Sequence, residues 1–341
     1  MRTDELETLH PTKKLALGFI GVGWIGRNRM DVLLDSRKAD AAMIFEPNGD
    51  NLDAALESAT DAVIAHTEHE LFADPEIDGV VIATPSALHA SQCLEALKAG
   101  KSVFCQKPLA RTAGEVSRII EASKASDKLL AVDFSYRFTK AFQSVYEVLR
   151  NGSIGTVFSV NLVFHNAYGP DKEWFYDISR SGGGCVMDLG IHLVDLALYG
   201  LGFPDVDRVE SNLFSKGRRL FPGEAVVEDF GKAAIETQDG TSITLECSWN
   251  ASVGKDAVIE ATFYGTDGGV SFRNVNGSFY DFVSERYIGT KTETLFEGQD
   301  NWSGQAGVDW ARRVLGSQGF DAASANELLE TARIIDRIYG R

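Results

Sequence analysis

Asp188 and His192 are the two residues of this chain whose types and spacing most directly suggest acid–base chemistry. They lie four positions apart behind a run of three glycines, residues 182–184, and residues at i and i+4 share one face of an α-helix. A histidine can accept a hydroxyl proton near neutral pH, and a neighbouring carboxylate can orient it and raise its basicity. Asp195, one turn beyond His192, is the rival partner, and a purely structural pair is the alternative role.

Two further segments carry polar residues at the points where apolar, strand-like runs end. Lys107 follows Lys101–Cys105 and precedes a proline, whose stiff backbone would hold an ammonium in one direction. The other segment follows Gly79–Ala83. The alternative for Lys107 is an ordinary surface lysine. The alternative for His89, which lies in the second segment, is a residue that packs or caps a helix. Because ligands of open parallel sheets bind at the carboxyl ends of strands, we predict contacts to a cofactor from Thr84, Pro85, Ser86, His89, Gln106 and Lys107.

A glycine-rich turn, Gly21-Val22-Gly23-Trp24-Ile25-Gly26, joins the apolar run Leu15–Ile20 to the helical segment Ile25–Asp35. In this context the first glycine permits a tight turn, the second lets the backbone approach a pyrophosphate, and the third allows the helix to pack on the strand. The helix N-terminus also presents N–H groups to a phosphate. We therefore predict a bound dinucleotide that is contacted by Gly21, Gly23, Trp24, Ile25 and Gly26.

Glu46 stands about twenty residues beyond the glycine turn, at the end of the second predicted strand. A carboxylate at this position can accept hydrogen bonds from the ribose hydroxyls and would repel a 2′-phosphate. The sequence therefore predicts NAD as the cofactor. NADP is the alternative, because a nearby arginine or a loop shift can reverse this preference.

The order of apolar runs and helical segments predicts an α/β protein with two domains. Over residues 14–135, short apolar runs alternate with amphipathic helices, which is typical of a doubly wound parallel sheet of the Rossmann type. Over residues 136–341, longer runs with period-two alternation predict an α+β domain around an open, mostly antiparallel sheet. The strands predicted there are Thr156–Phe164, Val206–Phe214, Ala225–Thr237, Ser242–Trp249, Val258–Tyr264 and Gly269–Arg273, with helices near Val186–Tyr199 and Ala322–Tyr339. An exposed face of this sheet is expected to join the chains of a homodimer or homotetramer.

Charge and composition limit the partners. The net charge of −16 argues against nucleic acid and anionic membranes, because both require a basic surface. The four cysteines form no CxxC pair and the six histidines form no HxxxH or HxH pair, so we predict reduced thiols, no metal site and a cytoplasmic location. The polar segment Met1–Lys14 is predicted to be a loose tail, since it lacks the basic start and apolar run of a signal peptide.

Together these motifs resemble the glucose–fructose oxidoreductase, inositol dehydrogenase and rhizopine-catabolism (Gfo/Idh/MocA) family over nearly the whole chain. The segments that carry the resemblance are Gly21–Gly26, Asp74–Asp78, Thr84–His89, Ala99–Lys101, Gln106–Pro108, Tyr136–Phe138, Gly152–Gly155 and Gly182–Tyr199. The resemblance implies a Rossmann domain and an open-sheet domain with nicotinamide and substrate between them. It also implies that Lys107, Asp188 and His192 form the catalytic group.

The resemblance further implies hydride transfer between nicotinamide C4 and a carbinol carbon of the substrate. His192 would take the hydroxyl proton during oxidation and return it during reduction, while Lys107 would stabilise negative charge on the reacting oxygen. Asp188 would orient His192 or an adjacent substrate hydroxyl. Gln106 departs from the family's pattern, which usually has glutamate before this lysine. The substitution removes a negative charge beside the ammonium and is expected to tune the pH optimum and the preferred direction.

Polar and aromatic residues lie where the family's substrate loop would be, and they are predicted to contact a sugar, polyol or cyclitol: His165, Asn166, Tyr168, Trp174 and Asp177. Polar groups beside aromatic faces suit a polyhydroxylated ring, although loop solubility and packing explain the same residues almost as well. Two other functions are compatible with the same fold and cofactor site. One is an NAD-dependent glycoside hydrolase that oxidises its substrate transiently, and the other is a non-catalytic NAD(P)-sensing regulator, which would have no need to keep Lys107 and the Asp188–His192 pair.

Overall fold

The computed structural model describes residues 13–341, and its first sheet contains six parallel strands. The prediction for Met1–Lys14 therefore lies almost entirely outside the described residues. The strands are β1 (Leu15–Ile20), β2 (Ala39–Phe45), β3 (Val63–Ile64), β4 (Gly79–Ile82), β5 (Ser102–Cys105) and β6 (Leu130–Val132). The helices between them are α1 (Trp24–Asp35), α2 (Gly49–Leu56), α3 (Glu68–Ala73), α4 (Ser86–Lys98) and α5 (Ala113–Ser126). Every residue of β4 and β5 is buried, as expected for parallel strands with helices on both faces.

The strand order of this sheet, β3-β2-β1-β4-β5-β6, confirms the predicted doubly wound arrangement. The direction of winding reverses between β1 and β4, which opens a crevice at the carboxyl ends of these two strands. Helix α1 begins just after β1, and α4 begins just after β4. The glycine turn and the Thr84 segment therefore meet at this crevice.

A second sheet of nine strands follows, in the order β15-β14-β13-β12-β7-β11-β10-β8-β9. Only the β7–β11 pairing is parallel, so the predicted mostly antiparallel sheet is confirmed. The strands are β7 (Val157–Asn166), β8 (Val206–Ser215), β9 (Arg218–Leu220), β10 (Phe230–Thr237), β11 (Ser242–Ser248), β12 (Ala257–Gly265), β13 (Gly269–Asn274), β14 (Asp281–Ile288) and β15 (Lys291–Gln299). The remaining helices are α6 (Lys140–Arg150), α7 (Ile178–Ser181), α8 (Ile191–Leu201), α9 (Gln305–Leu315) and α10 (Ala322–Tyr339).

Alternation along the strands separates the two faces of the second sheet. On β7, Val160, Leu162 and Phe164 are buried and face the side on which α6 and α8 pack. By length and composition the helical segment Ile178–Leu201 could span a membrane, but 78% of its most apolar window is buried inside this protein. Its apolar side chains belong to the core of the second domain.

Helix α9 returns to the first domain, although it lies within the predicted range of the second. It packs on α1, and Trp310 is fully buried there, with its ring 5.8 Å from that of Phe104 on β5. A Cβ atom at Gly79 on β4 would lie 2.8 Å from the Trp310 ring, so only glycine allows this close packing. The chain therefore crosses between the domains a second time.

Candidate active site

The glycine turn has the geometry that a dinucleotide requires. Gly21 has a φ of +81°, which favours glycine, and a Cβ atom at Gly26 would lie 2.0 Å from the Gly21 carbonyl oxygen. A Cβ atom at Gly23 would meet nothing closer than 3.7 Å, which leaves space for a pyrophosphate. Helix α1 has no side-chain N-cap and no acidic residue in its first turn, so its first N–H groups can receive an anion. Trp24 and Ile25 form this first turn, and Trp24 is exposed.

Glu46 lies beside the glycine turn, as the predicted ribose contact requires. Its carboxylate accepts hydrogen bonds from the backbone N–H groups of Val22, at 2.8 Å, and Asn48, at 2.9 Å. These bonds hold the carboxylate at the end of β2. Each carboxylate oxygen can accept a further hydrogen bond, so both ribose hydroxyls can still be recognised.

His89 does not face the cofactor site, which corrects the prediction made for it. It lies on the inner face of α4 and is 1% exposed, because the helix turns this position towards the core. Its Nδ1 is 2.7 Å from the Pro108 carbonyl oxygen, and its Nε2 is 2.7 Å from the Thr84 carbonyl oxygen. Burial lowers the pKa of His89. The ring therefore links the two strand-end segments, while Pro85 and Ser86 stay at the start of α4.

Lys107 and Asp188 form an ion pair between the two domains. The Lys107 Nζ donates to Asp188 Oδ1 at 2.7 Å and to the Asp188 backbone oxygen at 2.7 Å. The two side chains are 17% and 16% exposed, so a ligand can reach them. An ammonium has three N–H donors, and Asp188 takes two of them, which leaves one for a ligand.

A buried anchor holds the segment that carries Asp188. This residue lies in a π-helical turn, Val186–Gly190, that precedes α8. The Glu228 carboxylate accepts hydrogen bonds from the N–H groups of Gly184 and Val186 and from the Tyr339 hydroxyl. A Cβ atom at Gly184 would lie 1.8 Å from the Glu228 carbonyl oxygen, which explains why this turn needs glycine.

His192 stands apart from both predicted carboxylate partners. Asp188 bonds Lys107 instead, and Asp195 forms a bidentate ion pair with Arg137 at 2.6 and 2.7 Å. The imidazole is 8% exposed and packs edge-on against Tyr136 at 5.1 Å. Its Nδ1 has no hydrogen-bond partner among residues 13–341.

The environment of His192 favours its neutral form. Burial, followed by the positive charges of Lys107 and Arg29, lowers the pKa of His192 well below its ordinary value of 6.5. The predicted contact of Asp188 with His192 is not formed in this structure, because the two carboxylate oxygens bond Lys107 and Trp249. The other role predicted for Asp188, orientation of an adjacent substrate hydroxyl, stays a prediction. A neutral imidazole without an internal partner is still a competent proton acceptor.

Gln106 belongs to a buried polar cluster below Lys107. Its amide Nε2 donates to Asp133 Oδ2 at 2.5 Å, and Arg29 Nε donates to the same oxygen at 2.6 Å. The Arg29 and Asp133 side chains are 2% and 0% exposed. The neutral amide of Gln106 thus donates to a buried carboxylate, Asp133, which also pairs with Arg29.

Gln106→Glu is expected to destabilise the fold. The change removes an amide donor and places a second carboxylate against the buried Asp133, and a buried polar group that loses its partner costs about 1–3 kcal/mol. The loss in melting temperature at pH 7 should shrink as the pH falls, because the introduced carboxyl group becomes neutral. Gln305→Glu, at an exposed position, is the matched control, and equal melting temperatures of the two variants at pH 7 would contradict this assignment.

The predicted substrate residues divide into two groups. The first group lies at and after the carboxyl end of β7. Asn166 is the last residue of this strand, and Tyr168 and Trp174 follow in the segment that leads to α7. His165 points to the opposite face of the sheet, where its Nδ1 bonds the Ser248 hydroxyl at 2.8 Å. It is therefore removed from the site, because strand alternation places neighbours on opposite faces. Asp177 is exposed, and one of its carboxylate oxygens caps α7 by bonding Ser179, so its contact with a substrate stays a prediction.

Three residues near the catalytic group were missed by the sequence reasoning. The Trp249 Nε1 donates to Asp188 Oδ2 at 3.0 Å, and Tyr136 packs on His192. The positive charge of Arg29 contributes to the lowered pKa of His192. Tyr136 belongs to a motif that was noted only for its order in the chain. Trp249 and Arg29 carry no local sequence signal, because their partners are 61 and 104 positions away.

Both domains match known family models. Residues 15–134 match an oxidoreductase family with an NAD-binding Rossmann fold, and residues 142–271 match the GFO/IDH/MocA C-terminal domain. An inositol 2-dehydrogenase of Gluconacetobacter diazotrophicus is 32% identical over 248 residues, which cover 71% of this chain and 69% of that protein. A myo-inositol 2-dehydrogenase of Thermotoga maritima is 28% identical over 264 residues, which cover 76% of each chain.

A solved structure shares the fold of both domains. The 3-ketoreductase from Actinomadura kijaniata, in complex with NADP and TDP-benzene, matches with a TM-score of 0.81 at 21% identity. The match covers 96% of this chain and 97% of that one. Together with the glycine turn and the Lys107–Asp188–His192 site, the family models and the inositol dehydrogenases identify this chain as a member of the Gfo/Idh/MocA family of NAD-binding oxidoreductases.

Proposed function

We propose that this protein is an NAD-dependent dehydrogenase, or the corresponding reductase, that acts on a secondary hydroxyl of a sugar, polyol or cyclitol. The single observation that carries the proposal is the pairing of Lys107 with Asp188 across the two domains, 2.7 Å apart, near His192. The Nδ1 atom of His192 has no hydrogen-bond partner among residues 13–341, and its environment favours the neutral ring. This arrangement places a positive charge and a proton acceptor at one junction. Oxidation of an alcohol requires both.

Each residue has a distinct part in the proposed reaction. Nicotinamide, when bound, supplies the hydride acceptor or donor. The free N–H of Lys107 donates to the reacting oxygen and stabilises the charge that develops there. His192 takes the hydroxyl proton in oxidation and returns it in reduction. Asp188 neutralises and directs Lys107.

The relatives and the loop chemistry support a polyhydroxylated substrate. Two of the similar proteins are named inositol 2-dehydrogenases. In this chain, the buried Asn166 Oδ1 has no partner among residues 13–341. Tyr168 is 54% exposed in the segment that follows. An amide beside exposed aromatic rings suits a ring that carries both hydroxyls and C–H faces.

The proposal is tested with a panel of inositols, aldoses, glycosides and keto-sugars, each assayed with NAD and NADP or their reduced forms at 340 nm. At least one class is expected to give cofactor-dependent turnover. Binding of the cofactor is measured separately by calorimetry. Intact NAD binding with no turnover on any member of the panel would count against the proposal.

Glu46 is expected to exclude NADP. Its carboxylate would face the 2′-phosphate at close range, and removing this repulsion should be worth about a tenfold gain in NADP affinity. Glu46→Gln removes the negative charge and keeps one acceptor oxygen, which can bond one of the N–H groups of Val22 and Asn48. The variant should therefore bind NAD and NADP with more similar affinities than the wild type does. Glu57→Gln, an exposed residue at the far end of α2, is the control. An unchanged ratio of the two dissociation constants in Glu46→Gln would show that other residues select the cofactor.

We also propose that the chain forms a homodimer or homotetramer through the face of the second sheet opposite α6 and α8, and that it works in the cytoplasm. Along β12, Ala257, Ile259, Ala261 and Phe263 are buried on one face, whereas Tyr264 on the other face is 42% exposed. All four cysteines are free thiols, which suits a reducing compartment. Light scattering should give a dimer or tetramer mass, and a monomer at micromolar concentration would contradict the first proposal.

A further inference from the structure

Trp249 is fixed directly behind the catalytic carboxylate. It follows β11 and is 2% exposed, and its backbone N–H donates to the Asp229 carbonyl oxygen at 2.7 Å. Its indole Nε1 donates to Asp188 Oδ2 at 3.0 Å. An indole has one N–H donor and no acceptor, so it can hold a carboxylate without exchanging a proton with it.

The two oxygens of Asp188 therefore have separate partners. Oδ1 accepts from Lys107 at 2.7 Å, and Oδ2 accepts from Trp249. The carboxylate is held between two elements, the turn after β5 and the end of β11. Both oxygens are thus engaged by residues other than His192, which lies four positions further along the chain.

Two aromatic rings from the segment predicted to contact the substrate pack on the indole ring. Phe175 packs on it at 6.2 Å and Tyr176 at 5.6 Å, at interplanar angles of 88° and 62°. These two residues belong to the segment between β7 and α7 that also carries Tyr168 and Trp174. Perpendicular contacts of this kind restrict the rotation of a buried ring.

We propose that Trp249 is a positioning residue that holds Asp188 on Lys107 and thereby keeps His192 free of a carboxylate partner. The charged and titratable groups that face His192 are Lys107 after β5, Arg29 on α1 and Tyr136 before α6. Without the indole N–H, Asp188 gains freedom to turn towards His192. The inference rests on the proposed function only for its catalytic consequence.

The test uses Trp249→Phe, which keeps a buried aromatic ring and removes the N–H donor. Histidine-labelled protein is titrated by NMR, and the His192 signal is assigned with His192→Asn. In Trp249→Phe the pKa of His192 should rise by about one pH unit or more, as expected when a carboxylate approaches an imidazole. Trp310→Phe, another fully buried tryptophan at a distant position, should leave the titration of His192 unchanged.

Asp188→Asn completes the design. If Trp249 acts through Asp188, adding Trp249→Phe to Asp188→Asn should produce no further change in the titration of His192. An equal shift in both backgrounds, or no shift in Trp249→Phe alone, would overturn the proposal. If Trp249→Phe does not fold, the indole N–H signals of the wild type are compared with those of Asp188→Asn. The signal of Trp249 should move and that of Trp310 should stay in place. An unmoved Trp249 signal would also overturn the proposal.

These measurements need no substrate, so they are independent of the proposed function. Once a substrate is known, Trp249→Phe should lower kcat about tenfold or more, with a smaller effect on KM. The loss of oxidation activity on the acid side of the pH profile should also begin at a higher pH than in the wild type. A fall in protein stability with an unchanged pH profile would assign Trp249 a structural role only.

Discussion

Replacing His192 with asparagine is expected to lower kcat/KM by about two to four orders of magnitude, the range typical of a positioned general base. The imidazole Nδ1 has no hydrogen-bond partner among residues 13–341, and burial and nearby cations favour the neutral form of the ring. Lys107 is an ammonium donor, and the Asp188 carboxylate already has two donors. The affinity for NAD should change little, because the glycine turn and Glu46 lie elsewhere in the fold.

The pH dependence of the wild type provides a second measurement on His192. Burial and two nearby cations lower its pKa well below 6.5, so the base remains neutral as the pH falls through the usual range of histidine. Oxidation should therefore lose activity only at pH values below that range. His69→Asn, an exposed histidine, is the control for the substitution. Similar activities of the His192 and His69 variants would remove His192 from the mechanism.

Lys107→Met is expected to reduce kcat about 100- to 1,000-fold, the loss seen when one donor to a developing oxyanion is deleted. The methionine side chain fills similar space but carries no charge and no donor. Asp188 would lose its closest partner, 2.7 Å away. The freed carboxylate can then turn towards His192, so the residual activity should show an acid limb at higher pH than in the wild type.

Two controls separate the charge of Lys107 from its geometry. Lys107→Arg keeps a cation but presents a planar, bulkier donor group, and it should restore only part of the activity. Lys98→Met, at an exposed position in the last turn of α4, should behave as the wild type. If Lys107→Met retained more than about a tenth of kcat, stabilisation of the oxyanion would have to come from another residue.

The first domain could be predicted closely because its signals are local. The glycine turn, the fully apolar β4 and β5, and Lys107 at the end of β5 each follow from a few neighbouring residues. The Asp188–His192 spacing was also identified, but the inferred contact was wrong. The spacing rule assumes a regular α-helix, whereas Asp188 lies in a π-helical turn and meets a cation from the other domain.

The second domain was harder because its contacts are distant in sequence. Strand β15 is mostly exposed or half-buried, so it lacks the apolar alternation that would reveal it. The return of α9 to the first domain depends on Trp310 fitting over Gly79, which no local pattern indicates. Likewise, His165 and Asn166 are adjacent in sequence and were predicted together, but the alternation of β7 places them on opposite faces of the sheet.

The central claim, that this site transfers a hydride from a carbinol carbon to NAD, is tested most directly with a substrate deuterated at that carbon. The best alcohol from the panel is incubated with NAD, and the released cofactor is analysed by mass spectrometry. Direct hydride transfer should give stoichiometric NADH that carries the deuterium. This NADH should form with a primary isotope effect on kcat, and its formation should be strongly reduced in His192→Asn. Release of an aglycone without net NADH, or deuterium lost to the solvent, would contradict this claim and favour transient oxidation in a hydrolase.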